Sequence, residues 1–193
     1  MLQYKKMSLE ELIVLSQQHD LKALEELIRR EQKNIFAAFV YLSDNEENVS
    51  DLTQEALLKI AKNISNLRNP KHFKSWLNQI VTHIYYDSLR KLQRSPDTIS
   101  LDNDAEDLPQ IKFELPDIKC KPNEKCLAGE LEKIIKAAIQ ALPNNFRVAI
   151  VLREFQGLSY DEIAQATNTS VGTVKSRISR ARGKLQEDLK AYI

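Results

Sequence analysis

The chain has 193 residues, 42% of them hydrophobic, with 28 Lys and Arg against 27 Asp and Glu for a net charge of +1. That length buries one good core or two small ones. No apolar run approaches the roughly 20 residues that span a bilayer, and the N-terminus lacks the basic, apolar, small-residue order of a secretory signal, so a cytoplasmic protein is expected.

The near-zero net charge hides segregation. Residues 68–94 and 171–184 are basic, whereas residues 44–55 and 97–117 are acidic, which implies separate surfaces for separate partners. Glycine is scarce, no alternating strand pattern occurs, and each long segment has helical period, so the fold class is all-α. Ser8 and Glu11 form an S-x-x-E capping box ahead of Leu9, Leu12, Ile13 and Leu15. Asp20 can cap a further helix carrying Leu24, Leu27, Ile28, Ile35, Phe36 and Phe39.

After a polar break over residues 43–48, a helix starts at Val49 with Val49, Leu52, Ala56, Ile60 and Ile64 on its buried side and Leu57 beside them. Asp51, Gln54, Glu55 and Lys59 face outward. Acids in first turns suit the helix dipole, but Leu58 beside Gln54 and Glu55 is apolar on an outer face, which suits a docking surface for a basic partner helix.

Residues 66–70 read as a loop that Pro70 closes. The following long helix directs Phe73, Leu77, Ile80 and Ile84 inward, with Trp76 beside them. Lys71, Lys74, Arg90, Lys91 and Arg94 make it basic, and His72, His83, Tyr85 and Tyr86 supply rings that can stack on unpaired bases. A basic helix with rings and a polar loop before it suits single-stranded nucleic acid better than a duplex.

From Ser95 to about Lys119 the periodicity fails and prolines and acids accumulate, as expected of a flexible acidic linker. Leu101, Leu108, Ile111, Phe113 and Leu115 could anchor that linker to a partner. Cys120 and Cys126 are the only cysteines, spaced C-x5-C without a nearby histidine, which indicates two inert thiols and neither a metal site nor a disulfide framework. A second helical unit begins near Glu124, with Leu131, Ile134, Ile135, Ala138, Ile139 and Leu142 on one face and Pro143 ending the helix. The expected organisation is two small helical domains, residues 1–94 and 124–193, joined by a linker over 95–123.

The C-terminal stretch GLSYDEIAQATNTSVGTVKSRISRARGKL reads as a helix-turn-helix. Ser159 and Glu162 form a second capping box, with Leu158 and Ile163 placed as a hydrophobic staple. The first helix runs to about Thr167, and Ser170 can cap a second from Val171. Val171, Val174, Ile178, Ala181 and Leu185 fall on one buried stripe, which leaves Gly172, Thr173, Ser176, Ser179 and Arg180 outward, flanked by Lys175, Arg177, Arg182 and Lys184. No acid interrupts this face. Small residues permit close approach, hydroxyl and guanidinium groups bond phosphates and base edges, and the helix N-terminus attracts phosphate. The pattern is that of a DNA-reading element.

The ordered set DLTQEALLKI, FKSWLNQI, Asp87 with Arg90, LPNNFRVAIVLREFQGLSYDEIA and SVGTVKSRISRARGKL resembles bacterial sigma factors of the extracytoplasmic-function (ECF) type, over nearly the whole chain. The resemblance implies binding of core RNA polymerase and direction of the polymerase to promoters. It implies that Asp51, Gln54, Glu55 and Leu58 dock on the coiled coil of the polymerase β′ subunit, and that the C-terminal region meets the β subunit. It implies that Thr173, Lys175, Ser176, Arg177, Ser179 and Arg180 read the −35 element in the major groove. The −10 element would be melted, and a flipped base held, by Asn66 and Arg68 in the loop and by Lys74, Asn78, His83, Tyr86 and Arg90 on the helix after it. The linker would thread the active cleft of the polymerase, with its acids mimicking nucleic acid. An anti-sigma factor, which could hold the chain at the membrane, is a further implied partner; no cofactor, metal or small-molecule substrate is.

Where family members commonly have W-L-Y-R-I-A-R-N, this chain has Trp76, Leu77, Asn78, Gln79, Ile80, Val81, Thr82 and His83. Two usual arginines and the base-gripping asparagine are absent, which points to an altered −10 preference. A stand-alone helix-turn-helix regulator is the alternative, and it leaves the N-terminal half unexplained. An enzyme is not expected: His19, His72 and His83 lie on separate elements, and no nucleophile, base and orienting acid recur together.

Overall fold

The computed structural model of the chain describes residues 3–94, 125–190 and 192. The linker expected over 95–123, and Cys120 within it, lie outside the described residues. Among those described, the chain forms eight α-helices and no strand: α1 (Leu9–Gln17), α2 (Leu21–Leu42), α3 (Glu46–Asn63), α4 (Phe73–Arg94), α5 (Lys125–Gln140), α6 (Asn144–Glu154), α7 (Tyr160–Thr167) and α8 (Val171–Leu189). The all-α class is as the periodicity predicts. No helix among the described residues is long and apolar enough to cross a membrane.

Capping residues set the N-terminal helices. Ser8 and Glu11 close their box, with the Glu11 amide on Ser8 Oγ at 3.2 Å and the Ser8 amide on Glu11 Oε2 at 2.7 Å. His19 takes a left-handed φ of 64° to end α1, and Asp20 Oδ1 accepts from the Lys22 and Ala23 amides to open α2. α3 starts at Glu46, three residues before the expected Val49. Asn45 Oδ1 accepts from the Glu47 amide, and Glu46 and Glu47 then lie at the positive end of the dipole, where acids stabilise a first turn. α2 packs against both α1 and α3, and α3 against α4. Leu12, Ile13, Leu27, Ile35, Phe39, Leu42, Leu57 and Ile60 fill the core between them.

The loop expected over residues 66–70 is a pair of single-turn 3₁₀ helices, Ile64–Asn66 and Pro70–His72. It is pinned from α1: Gln17 Nε2 donates to the Ile64 carbonyl at 3.2 Å and to that of Leu67 at 2.6 Å. The Leu67 side chain is buried beneath it.

In the C-terminal half, α5 stops at Gln140, and Pro143 opens α6 rather than ending α5: its carbonyl accepts from the Phe146 and Arg147 amides. Ile139 and Leu142 are buried as expected, but Leu131 is 46% exposed, because the first turns of α5 run beyond the elements that cover its last turn.

The two halves pack against each other, α2 on α5 and α6, and α4 on α7. The last carbonyls of α2 have no intrahelical partner, and the C-terminal half supplies donors to them. Gln140 Nε2 reaches the Val40 carbonyl at 3.1 Å and that of Ser43 at 2.6 Å. The buried Arg147 guanidinium donates from Nη1 to the Leu42 carbonyl at 2.8 Å and to Asp44 Oδ1 at 2.6 Å, and from Nη2 to the carbonyls of Gln140 and Leu142.

A second buried charge ties the N-terminus down. Glu26, 7% exposed, accepts from Arg29 and Arg30 at 2.7 to 2.8 Å, and Arg30 continues to the carbonyls of Met7 and Tyr4. The Arg29 hydrogen bonds, and then those of Arg30, hold the Glu26 carboxyl down at about 2 against burial, which pushes the other way. A depressed carboxyl stabilises the fold above its unfolded value, and that contribution is lost as pH falls through the folded value. Glu26→Gln is expected to cost up to about 3 kcal/mol near neutral pH. In denaturant titrations its deficit against the parent chain should shrink from about pH 4.5 downward and vanish by about pH 2; a deficit independent of pH would place the effect elsewhere.

Candidate nucleic-acid and polymerase interfaces

The helix-turn-helix is built from three local devices. The Glu162 amide donates to Ser159 Oγ at 3.3 Å and the Ser159 amide to Glu162 Oε2 at 2.8 Å, which closes the predicted box. Gly157, at φ 69°, makes the turn into α7 in a left-handed conformation that costs glycine little. Asn168 ends α7, also left-handed at φ 51°, and Ser170 Oγ accepts from the Thr173 amide at 3.1 Å to start α8.

Val174, Ile178 and Ala181 are buried, with Val171 and Leu185 partly so, as the stripe predicts. Lys175, Ser176, Ser179 and Arg180 stand exposed on the other side, with Thr173 and Arg177 half-buried. The Thr173 hydroxyl lies 2.9 Å from Ser170 Oγ, so it belongs partly to the cap. Arg182 pairs with Glu154 at 2.6 Å. Among the described residues no carboxylate pairs with Lys175, Arg177 or Arg180, and these cations remain available to an external anion.

The seven candidates for −10 contact do not form one patch. Asn66 and Arg68 are exposed on the pinned loop, and Lys74 is exposed at the start of α4. His83 and Arg90 come together in an open depression of about 420 Å³, shared with Lys59, Ile80 and Asp87; Arg90 meets Asp87 at 3.1 Å. Asn78 is only 3% exposed: its Nδ2 donates to the Lys74 carbonyl at 2.9 Å and its Oδ1 has no partner. Tyr86 is half-buried, its hydroxyl donating to Asn145 Oδ1 at 3.3 Å. Tyr85, read from sequence as an available ring, is fully buried with its hydroxyl on Asn144 Oδ1 at 3.1 Å, and burial pushes that hydroxyl up to about 12. Both tyrosines lie under the C-terminal half, which the period of α4 alone cannot announce. Lys59, charged and next to His83 across the α3–α4 groove, is a member of this depression that sequence reasoning assigned only to the outward side of α3.

The α3 face is as the periodicity predicts. Asp51 and Gln54 are exposed, Glu55 is half-buried and pairs with Lys59 at 2.8 Å, and Leu58 is 39% exposed. Beside them an open groove of about 680 Å³ runs between α3 and α4, lined among others by Asp51, Glu55, Ile84, Asp87, Lys91 and Leu92. Leu92, at 72% exposure, was not anticipated there; its signal was an apolar residue amid the basic end of α4.

Residues 27–95 match the family profile of Sigma-70 region 2, and residues 132–185 match that of Sigma-70, region 4. Over 175 residues the chain is 35% identical to the ECF RNA polymerase sigma-E factor of Haemophilus influenzae, covering 90% of each chain. It is 32% identical over 165 residues to the ECF RNA polymerase sigma factor SigE of Mycolicibacterium smegmatis; that match takes in 86% of this chain and 61% of the longer relative. Among solved structures it is similar to the sigma factor RpoE of Bartonella quintana, crystallised with the anti-sigma factor NepR, at 27% identity and a TM-score of 0.63, covering 89% of this chain and 97% of that one. The exposed face of α8, the capped turn before it and the region 2 and region 4 matches in their proper order lead to one conclusion: the chain belongs to the ECF RNA polymerase sigma factors and directs the polymerase to promoters at the start of transcription.

Proposed function

We propose that this sigma factor works as two functional units, residues 1–94 and 124–193, tethered through 95–123, in the cytoplasm. The N-terminal unit docks on the β′ coiled coil of core polymerase through Asp51, Gln54, Glu55 and Leu58, and the C-terminal unit meets the β subunit. The observation that carries the polymerase reading is Leu58, an apolar side chain 39% exposed among exposed polar and acidic neighbours on α3. Such a rim of acids around an apolar anchor suits a basic partner helix.

In the same reading α8 enters the major groove at the −35 element. Arg180 and Lys175 can bond guanine edges, and Ser176 and Ser179, being short, let the helix approach closely. The −10 strand is taken by the loop with Asn66 and Arg68 and by α4, where His83 and Arg90 offer a ring and a guanidinium beside an open depression of about 420 Å³. Extruding a base costs a few kcal/mol of stacking, which ring and charge contacts of this kind offset. The complex of the Bartonella quintana relative with its anti-sigma factor supports an anti-sigma partner here as well.

Three substitutions divide these roles. Leu58→Arg should abolish co-elution with core polymerase while the helical circular dichroism is unchanged; retained co-elution would remove Leu58 from the docking face. Arg180→Ala should weaken promoter binding by about 1 to 3 kcal/mol, and an equal loss on DNA with a scrambled −35 element would make it a phosphate contact. His83→Ala should lower discrimination among −10 sequences in transcription assays with polymerase binding intact. Unchanged promoter choice would take His83 out of the −10 site.

A further inference from the structure

α4 is buried on two opposite sides. At about 100° per residue, Phe73, Leu77, Val81 and Ile84 form one stripe, and it faces the N-terminal core. Ser75, Asn78, Thr82, Tyr85 and Tyr86 fall on the opposite stripe. That second stripe is polar, yet Ser75, Asn78 and Thr82 are 5%, 3% and 0% exposed, because α7 and the start of α6 lie over them. Ser75 Oγ donates to Glu162 Oε1 at 2.7 Å, and the two tyrosine hydroxyls donate to Asn144 and Asn145.

The contact is poorly satisfied. Asn78 Oδ1 and Thr82 Oγ1 are buried without a hydrogen-bond partner. Each such atom costs about 1 to 3 kcal/mol relative to its hydrated state, so a permanent interface would be expected to carry apolar side chains there. A stripe that is hydrated or bound to nucleic acid when the halves part carries no such cost in the parted state. The cover is instead held by ions and amides at its edge: Arg147 on Leu42 and Asp44, Gln140 on Val40 and Ser43, and the Lys136–Glu46 ion pair. On the stripe itself sits an anion. The Ser159 amide, and then the Ser75 hydroxyl, hold the Glu162 carboxyl below the usual carboxylate range, so a carboxylate occupies the Ser75 donor that a phosphate oxygen could otherwise take.

Dimensions point the same way. Promoter elements at −35 and −10 lie roughly 25 base pairs apart, about 85 Å of straight duplex at about 3.4 Å per pair. A compact chain of 193 residues has a radius of gyration of about 16 Å, a sphere roughly 42 Å across. The closed chain therefore cannot touch both elements, whereas the roughly 30 residues between α4 and α5 reach about 100 Å when fully extended.

We propose that the chain on its own is self-masked: its C-terminal half closes over the polar stripe of α4, and binding to core polymerase parts the halves and uncovers that stripe for single-stranded DNA. The exposed face of α8 and the α3 docking face stay open in the closed state, so the first encounter with polymerase is unobstructed. This rests on the reading of α4 as the −10 contact, and its test separates the two. Nitroxide labels are placed by Lys33→Cys on α2 and Lys184→Cys on α8, both exposed, with Cys120→Ser and Cys126→Ser, and the interlabel distance is measured by pulsed electron paramagnetic resonance. The free chain should give one narrow, short distance, and saturation with core polymerase should lengthen it by tens of ångströms. Adding Thr82→Glu, a carboxylate where no partner exists, should give long, broad distances without polymerase. A free chain already as extended as the bound one, no lengthening on polymerase, or a Thr82→Glu chain that stays closed with its helical dichroism intact would each overturn the masking. A chain that never associates with polymerase would instead remove the function, while the free-chain and Thr82→Glu distances still report the closure. Should Thr82→Glu fail to fold, the comparison of free and bound chains decides alone.

Discussion

Arg147 stands at the join of the two halves. Its guanidinium, 4% exposed, is shared among the carbonyls of Leu42, Gln140 and Leu142 and the Asp44 carboxylate. An unpaired guanidinium at that depth would be strongly destabilising. Its charge is met by the end of α2, where carbonyls without intrahelical partners concentrate negative potential. The C-terminal half thereby acts as the cap of a helix in the N-terminal half. The interface depends on this polar join more than on apolar area, which makes it a contact that water and competing partners can replace.

That property links the fold to the work of a sigma factor. The surfaces that must meet polymerase and duplex DNA first, the α3 face with Leu58 and the α8 face with Arg180, are exposed in the closed arrangement. The surface needed only once strands are separated, the polar side of α4, is covered. Rigidity is placed accordingly: the helix-turn-helix is fixed by a closed capping box and two left-handed turn residues, and the loop with Asn66 and Arg68 is pinned by Gln17 from α1. A reading helix held in this way loses little conformational entropy on binding.

Much of this was legible in the sequence because its signals are local. Capping boxes at Ser8 and Ser159 involve residues three apart, and helix period alone placed Val174, Ile178 and Ala181 inside and Arg180 outside. The buried side of α3 followed from period in the same way. What was not legible depends on contacts between distant residues. The period of α4 marks Phe73 and Leu77 as core but treats Asn78 and Thr82 as solvated, since nothing in their neighbours reports that α7, some 80 residues later, covers them. Tyr85 was misread as an available ring for the same reason. The start of α3 was misplaced because Glu46 and Glu47 look like loop by polarity and are helix by dipole. Arg147 gave no sign of its burial: an arginine on an amphipathic helix is ordinarily solvated.

The central claim is that one chain brings polymerase to a start site by reading two separated DNA elements. It is tested most directly by mapping transcript 5′ ends made by purified core polymerase on fragmented genomic DNA, with and without the chain. The account predicts a set of starts that appear only with the chain, each preceded by two short motifs at a constant spacing. Chain-dependent starts sharing a single motif, or a start map the chain does not change, would contradict it.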